Sequence, residues 1–382
     1  MLLSGEALQI RDAARRFAQR EIAPFAAGWE QTGTGVPENV LGALAAQGYF
    51  GLLVPTALGG SGLDMLAYAL VTEELAAADC GICNLVNVSN SPVSTALRDH
   101  GTPTQHARFL APLARGERRG CFLLTEPHAG SDASALRTTA RRTGRGWVLN
   151  GTKCFVTAGR SAHLALVVAV TDASAGKRGI SAFIVATDTP GYRVTRLEDK
   201  LGHRNCDTAE VVLDSVEVGD DHLLGKCGDG YRIALAYLEG GRIGVAAQSV
   251  GVARAALEAA LTYARERESF GQPIIQHQAV GFRLARMATR LEAARQLTWH
   301  AASLASHGQS ALLAASMAKT FASEAAEEIC SEALQVLGGA GYTRNHPVEK
   351  FYRDARVLSI YEGTNDIQNL VIARQLAAGP PA

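Results

Sequence analysis

The chain has 382 residues, 47% apolar and 19% charged, the balance of a globular protein with room for two or three domains. Its 37 basic side chains match its 37 acidic ones, so it offers no bulk attraction to nucleic acid or anionic lipid. Apolar runs such as Leu164 to Val170 fall far short of the roughly 20 residues that span a bilayer, and MLLSGEALQIRDAARRF lacks a signal-peptide core and cleavage site, so a cytoplasmic protein with no membrane partner is expected.

Residues 5–118 carry a helical pattern, with Leu8, Ala14, Phe17 and Ile22 at helical spacing and Pro24, Pro37, Pro55 and Pro103 as punctuation. Leu58-Gly59-Gly60-Ser61-Gly62-Leu63 reads as a loop, and Asp64 is placed to cap the next helix. From residue 119 the texture changes to short β-rich runs: CFLLTE, GWVLNGTKCFVT, LALVVAV, ISAFIVA, YRVTRL and AEVVLDSVEV, parted by Gly, Asp, Asn and Pro. No helical pattern intervenes, which predicts a compact antiparallel domain and not a doubly wound sheet. Helices return after Gly225-Lys226-Cys227-Gly228. Leu284, Ala288, Leu291 and Arg295 follow one face, and the Ala-rich stretches 252–266 and 311–338 allow close packing. Breaks fall at Gly271-Gln272-Pro273, at Gly308 and at Gly338-Gly339-Ala340-Gly341, and a short tail, Gly379-Pro380-Pro381-Ala382, closes the chain. The expectation is an α+β multidomain protein: an N-terminal helical domain (1–118), a middle β-domain (119–226) and a C-terminal bundle of four or more helices (227–382).

Seven scattered cysteines in apolar or helical contexts read as packed, reduced thiols, and the lone Cys80/Cys83 CxxC has no second pair to make a zinc site. GxGxxG, GxxxxGK[ST], HExxH and GxSxG are all absent from the contexts in which they would work. Short motifs therefore give only a ligand-binding α-plus-β protein.

Longer segments say more. LLTEPHAGSD (123–132), NGTKCFVTAG (150–159), KLGHRNCDTAEVVLDSVEV (200–218), EGGRIGVAAQSVGVA (239–253), ARERESFGQPIIQHQA (264–279), QVLGGAGYTRNHPVEKFYRDAR (335–356) and IYEGTNDIQNLVIAR (360–374) together resemble the acyl-CoA dehydrogenase family, in order and over essentially the whole chain. The resemblance implies helices, then a β-barrel-like domain, then a four-helix bundle. It also implies FAD, an acyl-CoA substrate, electron-transfer flavoprotein as acceptor, and a homotetramer built as a dimer of dimers.

The resemblance assigns residues as well. Glu362 in Ile360-Tyr361-Glu362-Gly363-Thr364 matches the catalytic base, which an α-proton of a thioester requires in a dry pocket. Some branches place the base just before the arginine of the EGGR-like segment; Gly241 stands there and cannot act. A helix cap is the alternative for Glu362. Leu124, Thr125 and Thr157 match flavin-ring contacts, Ser131 a position near pyrophosphate and pantetheine, and Phe155 stands where the family commonly has Trp. Arg267, Phe270 and Gln278, with Gln335, Gly338 and Gly339, match contacts to a neighbouring subunit's FAD. Thr364 and Asp366 match positions near FAD, while Glu239, Arg242, Tyr361 and Gly363 border the substrate. The same scaffold also serves acyl-CoA oxidases, nitroalkane oxidases and desulfinases, enzymes of carrier-protein-bound acyl groups, and non-catalytic flavin scaffolds. Glu362 argues against nitroalkane oxidase and desulfinase.

Overall fold

A computed structural model describes residues 2–379, so the expected tail after Gly379 lies outside the described residues. The N-terminal part holds α1 (Gly5–Glu21), α2 (Ala26–Thr32), α3 (Glu38–Ala46), α4 (Met65–Ala78), α5 (Cys80–Val88), α6 (Thr95–His100), α7 (Pro103–Gln105) and α8 (Ala111–Ala114). In α1 the Ser4 hydroxyl accepts from Ala7 N at 3.1 Å, and Ala7, Ala14, Phe17 and Ala18 face inward. Leu8 does not belong to that stripe: it is 37% exposed, because the inward face passes through its neighbour Ala7. Asp64 caps α4 as expected, accepting from Ala67 N at 2.8 Å.

Among the described residues eight strands form one sheet: β1 (Gly120–Leu123), β2 (Thr139–Thr143), β3 (Gly146–Thr157), β4 (Leu164–Val170), β5 (Ile180–Ala186), β6 (Tyr192–Leu197), β7 (Thr208–Val218) and β8 (Leu223–Leu224). Their order is β6-β7-β3-β2-β4-β5-β8, with β1 also on β4. The antiparallel expectation is corrected at β4, which pairs in parallel with β1 from Leu164 to Val167 and with β2 at Thr139. The long excursion between β1 and β4, through the β2–β3 hairpin, permits the parallel approach. The β4 and β5 runs are buried on both faces, which is why both are continuously apolar.

After the sheet come α9 (Gly230–Glu266), a two-residue ladder of β9 (Glu268–Ser269) with β10 (Gln272–Pro273), α10 (Gln278–Ser306), α11 (Leu312–Leu337), α12 (Val348–Ala355) and α13 (Asn365–Ala378). The inward face of α10 is Leu284, Met287, Leu291, Ala294 and Thr298; Ala288 is exposed, one position off the stripe the sequence suggested. Cys80 and Cys83 are buried in α5, whereas Cys227 is exposed because it sits in the turn joining sheet to bundle. No helix among the described residues is long and apolar enough to cross a membrane.

Two buried charge clusters fasten these parts together. On α4, Glu74 takes Arg15 of α1 at 2.9 Å and Arg254 of α9 at 2.6 Å, while Glu73 takes Arg295 of α10 at 3.0 Å. In the second cluster, Lys350 of α12 meets Asp79 at 2.8 Å and Asp354 at 2.5 Å. From the loop before β7, His203 N donates to Asp354 Oδ1 at 2.6 Å and Asn205 Nδ2 to Asp79 Oδ2 at 2.8 Å. Burial on this scale is tolerated because each charge finds an opposite one or a hydrogen bond.

Candidate active site

The turn between α12 and α13 holds Glu362. Two successive residues are left-handed, Glu362 at φ 54° and Gly363 at φ 85°. Glycine accepts this freely, whereas for glutamate it costs about 1–2 kcal/mol that the surroundings must supply. They do so from several directions. Lys319 Nζ of α11 donates to Gly363 O and Asn365 Oδ1, both at 2.9 Å, and Gln368 Nε2 donates to the Glu362 and Gly363 carbonyls, both at 3.1 Å. The Tyr361 hydroxyl donates to Gln248 Oε1, and Gln248 Nε2 donates to Cys80 O at 2.8 Å. Capping of α13 falls to Thr364, whose hydroxyl accepts from Ile367 N at 3.3 Å. The Glu362 carboxylate is thus free of capping duty.

That carboxylate turns inward over α9. A Cβ placed on Gly241 would stand 2.7 Å from Glu362 Oε2, so any larger residue there would displace it. Burial pushes the Glu362 carboxyl up to about 7, against the pull of the Arg242 and Lys319 cations. Arg242 is itself buried, which pulls its guanidinium down, while Glu362 and Glu239 hold it up. Glu362 Oε2, Arg242 Nε and Arg242 Nη1 have no hydrogen-bond partner within the protein. Unpaired acid and base atoms buried side by side mark a pocket that a ligand completes. Glu239, close by on α9, accepts from Ala311 N at 3.3 Å.

A second surface is built on the sheet. Lys153 Nζ, fully buried in β3, donates to Leu124 O at 2.9 Å and Glu126 Oε1 at 2.8 Å, and Glu126 also accepts from Arg137 N at 2.7 Å and Thr138 N at 3.0 Å. With Cys154 N donating to Thr125 O at 3.0 Å, the turn after β1 is pinned against β3. The β3–β7 register shifts between Lys153 and Val156, and there Phe155 turns out at φ 54°, 66% exposed. Leu124, Thr125, Phe155 and Thr157 are brought onto this turn and strand, where Thr157 Oγ1 accepts from Asn84 at 3.5 Å; Ser131 is exposed on the following loop.

Arg267, Phe270, Gln278, Gln335, Gly338 and Gly339 occupy a third place, the end of the bundle where α9 stops, α10 starts and α11 stops. An Arg283–Glu332 ion pair ties α10 to α11 there. All six residues are exposed, Phe270 at 97% with φ 50°. Asp366 is exposed in the first turn of α13. Exposed aromatic rings held at left-handed backbone, at both Phe155 and Phe270, fit a large planar cofactor that would cover them. The unpaired polar atoms around Glu362 fit a polar ligand beside it.

Family models agree with this layout. Residues 4–117 match the acyl-CoA dehydrogenase N-terminal domain, 121–216 the middle domain and 228–377 the C-terminal domain. The chain belongs to the acyl-CoA dehydrogenase family. Members of this family are FAD flavoproteins, oxidoreductases that act on CH–CH bonds. An acyl-CoA dehydrogenase of Bacillus subtilis is 43% identical over 99% of this chain and 100% of its own length. The butyryl-CoA dehydrogenase of Megasphaera elsdenii is 38% identical, with a TM-score of 0.95 over 99% of each chain. A chain solved in work on the electron transferring flavoprotein of Acidaminococcus fermentans is 42% identical, with a TM-score of 0.96 over 98% of this chain and 99% of that one.

Sequence reasoning passed over Lys319, Gln248 and Gln368, which build the acyl-CoA dehydrogenase turn. Lys319 did leave a signal: it lies on the buried face of α11 with Ala315, Ala318, Ala322 and Ala326, where a lone cation is out of place.

Proposed function

We propose that the protein oxidises the α,β carbon–carbon bond of a short acyl-CoA to the trans-2-enoyl-CoA, with Glu362 taking the α-proton. The observation that carries this is the buried Glu362 carboxylate over Gly241, with Oε2 unpaired and its proton affinity raised to about 7. A base so placed is ready to accept a proton from carbon near neutral pH. FAD, when bound, supplies the acceptor for the hydride that leaves the β-carbon. Leu124, Thr125, Phe155 and Thr157 would hold its ring, with Ser131, Thr364 and Asp366 nearby. Tyr361, Gly363, Glu239 and Arg242 would border the thioester, and Ser131 its pantetheine arm. Arg242, buried beside the base, would also keep the carboxylate ionisable in a dry pocket.

Arg267, Phe270, Gln278, Gln335, Gly338 and Gly339 would complete the FAD site of a neighbouring subunit in a tetramer. Electrons would pass to an electron-transfer flavoprotein, a reading supported by the likeness to a chain solved in work on such a flavoprotein. The butyryl-CoA dehydrogenase likeness supports a short acyl group, and the proposed location is the cytoplasm. The test is Glu362→Gln, which keeps the shape and removes the basicity. Expected is a variant that retains FAD while butyryl-CoA no longer bleaches the flavin anaerobically. A reduction rate within about tenfold of wild type, only ~1.4 kcal/mol, refutes the assignment.

A further inference from the structure

The loop joining β6 to β7 runs from the Thr157 end of β3 to the turn that carries Glu362. At its sheet end Thr208 stands opposite Thr157 in the β3–β7 ladder, and Ala158 N donates to Asp207 O at 2.9 Å. Lys200 Nζ draws the loop closed by donating to Cys206 O and, at 2.9 Å, to Thr208 Oγ1. Farther out the loop lies hard against the end of α12. Arg353 Nη1 donates to Leu201 O at 3.1 Å, and a Cβ on Gly202 would stand 2.5 Å from Arg353 O. His203 follows, buried and left-handed at φ 53°, a conformation that histidine keeps only where its surroundings hold it. Asp354 supplies the hold. His203 N donates to Asp354 Oδ1 at 2.6 Å, and Nε2 meets Asp354 O at 3.1 Å. A carbonyl only accepts, so Nε2 carries the ring proton. The ring faces Tyr361 edge to face, with centroids 6.0 Å apart and planes at 82°. Tyr361 is the residue before Glu362, and its hydroxyl is tied to Gln248 of α9.

An α-proton and a β-hydride leave neighbouring carbons, so base and flavin must keep a fixed separation across the acyl chain. They belong to distant parts of the protein: Thr125, Phe155 and Thr157 would hold the flavin ring from the sheet, and Glu362 stands after α12. We infer that His203 is a positioning residue: its ring, carried by a loop fastened to the end of β3, bears on Tyr361 and sets where Glu362 stands relative to the flavin. This rests on the dehydrogenase reading above and adds to it a part for a residue that acts only through its neighbour. The hydrogen bonds to Asp354 hold the loop, and the ring passes its position on to the base turn. A displacement of about 1 Å at such a site can cost on the order of a hundredfold in rate, so the loss of one ring contact is large enough to read.

The experiment is anaerobic stopped-flow reduction of the flavin by a range of butyryl-CoA concentrations, on FAD-loaded wild type, His203→Gln and His203→Phe, with thermal melting of each with and without FAD. Glutamine keeps a donor for Asp354 O and removes the ring; phenylalanine keeps the ring and removes the donor. His203→Gln should lower the limiting reduction rate about tenfold while the half-saturating butyryl-CoA concentration stays within about twofold. FAD should raise its melting temperature as it does for wild type. His203→Phe should return the rate to within about threefold of wild type, even where it melts lower. As a control, Arg15→Met breaks the other buried charge cluster and should melt lower yet reduce its flavin at the wild-type rate. A wild-type rate in His203→Gln overturns the inference, and so does a His203→Phe as slow as His203→Gln. A slow Arg15→Met overturns it too, because rate would then follow stability alone. Should His203→Gln fail to fold, His203→Leu, equally without a ring, takes its place. If butyryl-CoA leaves the wild-type flavin oxidised, the short-chain dehydrogenase reading itself fails; if it bleaches wild type and both His203 variants alike, only the role of His203 fails.

Discussion

At Glu362 the folded chain holds a proton more tightly than the unfolded one, since burial lifts the carboxyl from 4.5 to about 7. Between those values the native state binds more protons than the unfolded state, so this group's contribution to stability falls as pH rises through the window. Glu362→Gln removes the effect. Relative to wild type the variant should gain up to about 3 kcal/mol as pH rises from 4.5 to 7, at roughly 1.4 kcal/mol for each pH unit crossed. Urea melts of both proteins at several pH values would show it, and parallel stabilities across the window would contradict a buried, protonated base. The neighbouring cation acts on the same proton. Lys319 pulls the Glu362 carboxyl down while anchoring the turn through Gly363 O and Asn365 Oδ1. In Lys319→Met the acid limb of the kcat/KM profile, expected near pH 7, should move up by about one pH unit, slowing turnover at neutral pH roughly fivefold. Recovery in alkaline buffer would separate this from simple misfolding. None of the geometry was legible in IYEGT, because a left-handed glutamate is written in no local preference. It is imposed by Lys319 and Gln248, which arrive from other helices, and by Gln368, which folds back from the first turns of α13.

Among elements, β3 carries the most consequence. Its Lys153 and the Glu126 of the turn after β1 form an ion pair with side-chain exposures of 0% and 2%. Removing one partner strands the other charge in the core. Lys153→Met should therefore lower stability by about 3–5 kcal/mol, and loosen the turn that presents Leu124 and Thr125, weakening FAD retention on a desalting column. A variant with unchanged melting and full flavin would show the pair to be incidental. Most strands were readable from their apolar runs: LALVVAV and ISAFIVA became β4 and β5 residue for residue. β2 was not, since Thr-Ala-Arg-Arg-Thr buries only Ala140 and owes its conformation to its partner β3. Helix α4 hid its charges in the same way. Glu73 and Glu74 are buried because three arginines from other helices reach them.

For the whole molecule, the exposed end of the bundle sets the next expectation. Phe270, Phe282 and Tyr342 are exposed by 97%, 60% and 90%, and Arg267 lies among the same helix ends. Aromatic rings left in water around an arginine suit an interface completed by another subunit and its cofactor. Arg267→Ala should lose FAD and shift from the proposed tetramer toward smaller species together, at a cost of about 2–5 kcal/mol, with far-UV circular dichroism unchanged. Sedimentation read at protein and flavin wavelengths would decide; an Arg267→Ala tetramer with wild-type flavin content would refute the shared site. The sequence indicated Arg267 and Phe270 by resemblance alone, since an exposed loop phenylalanine has no local explanation, and it did not single out Phe282 or Tyr342.

The cluster of Asp79, Lys350, Asp354, His203 and Asn205 draws its members from the first helices, the sheet and the last helices at once. Its meaning is cooperative. Lifting the sheet away would leave Lys350 with its two aspartates short of their remaining donors, and would leave the His203–Asn205 loop with nothing to hold its shape, so partial opening is penalised nearly as heavily as complete unfolding. Three regions that look separable on paper should then melt as one: a single calorimetric transition, and no long-lived fragment of sheet size under limited proteolysis. A stable fragment covering residues 119–226 would show that the regions keep their independence. Asp354→Asn, which weakens the shared charge without altering shape, should be the substitution that splits the transition in two.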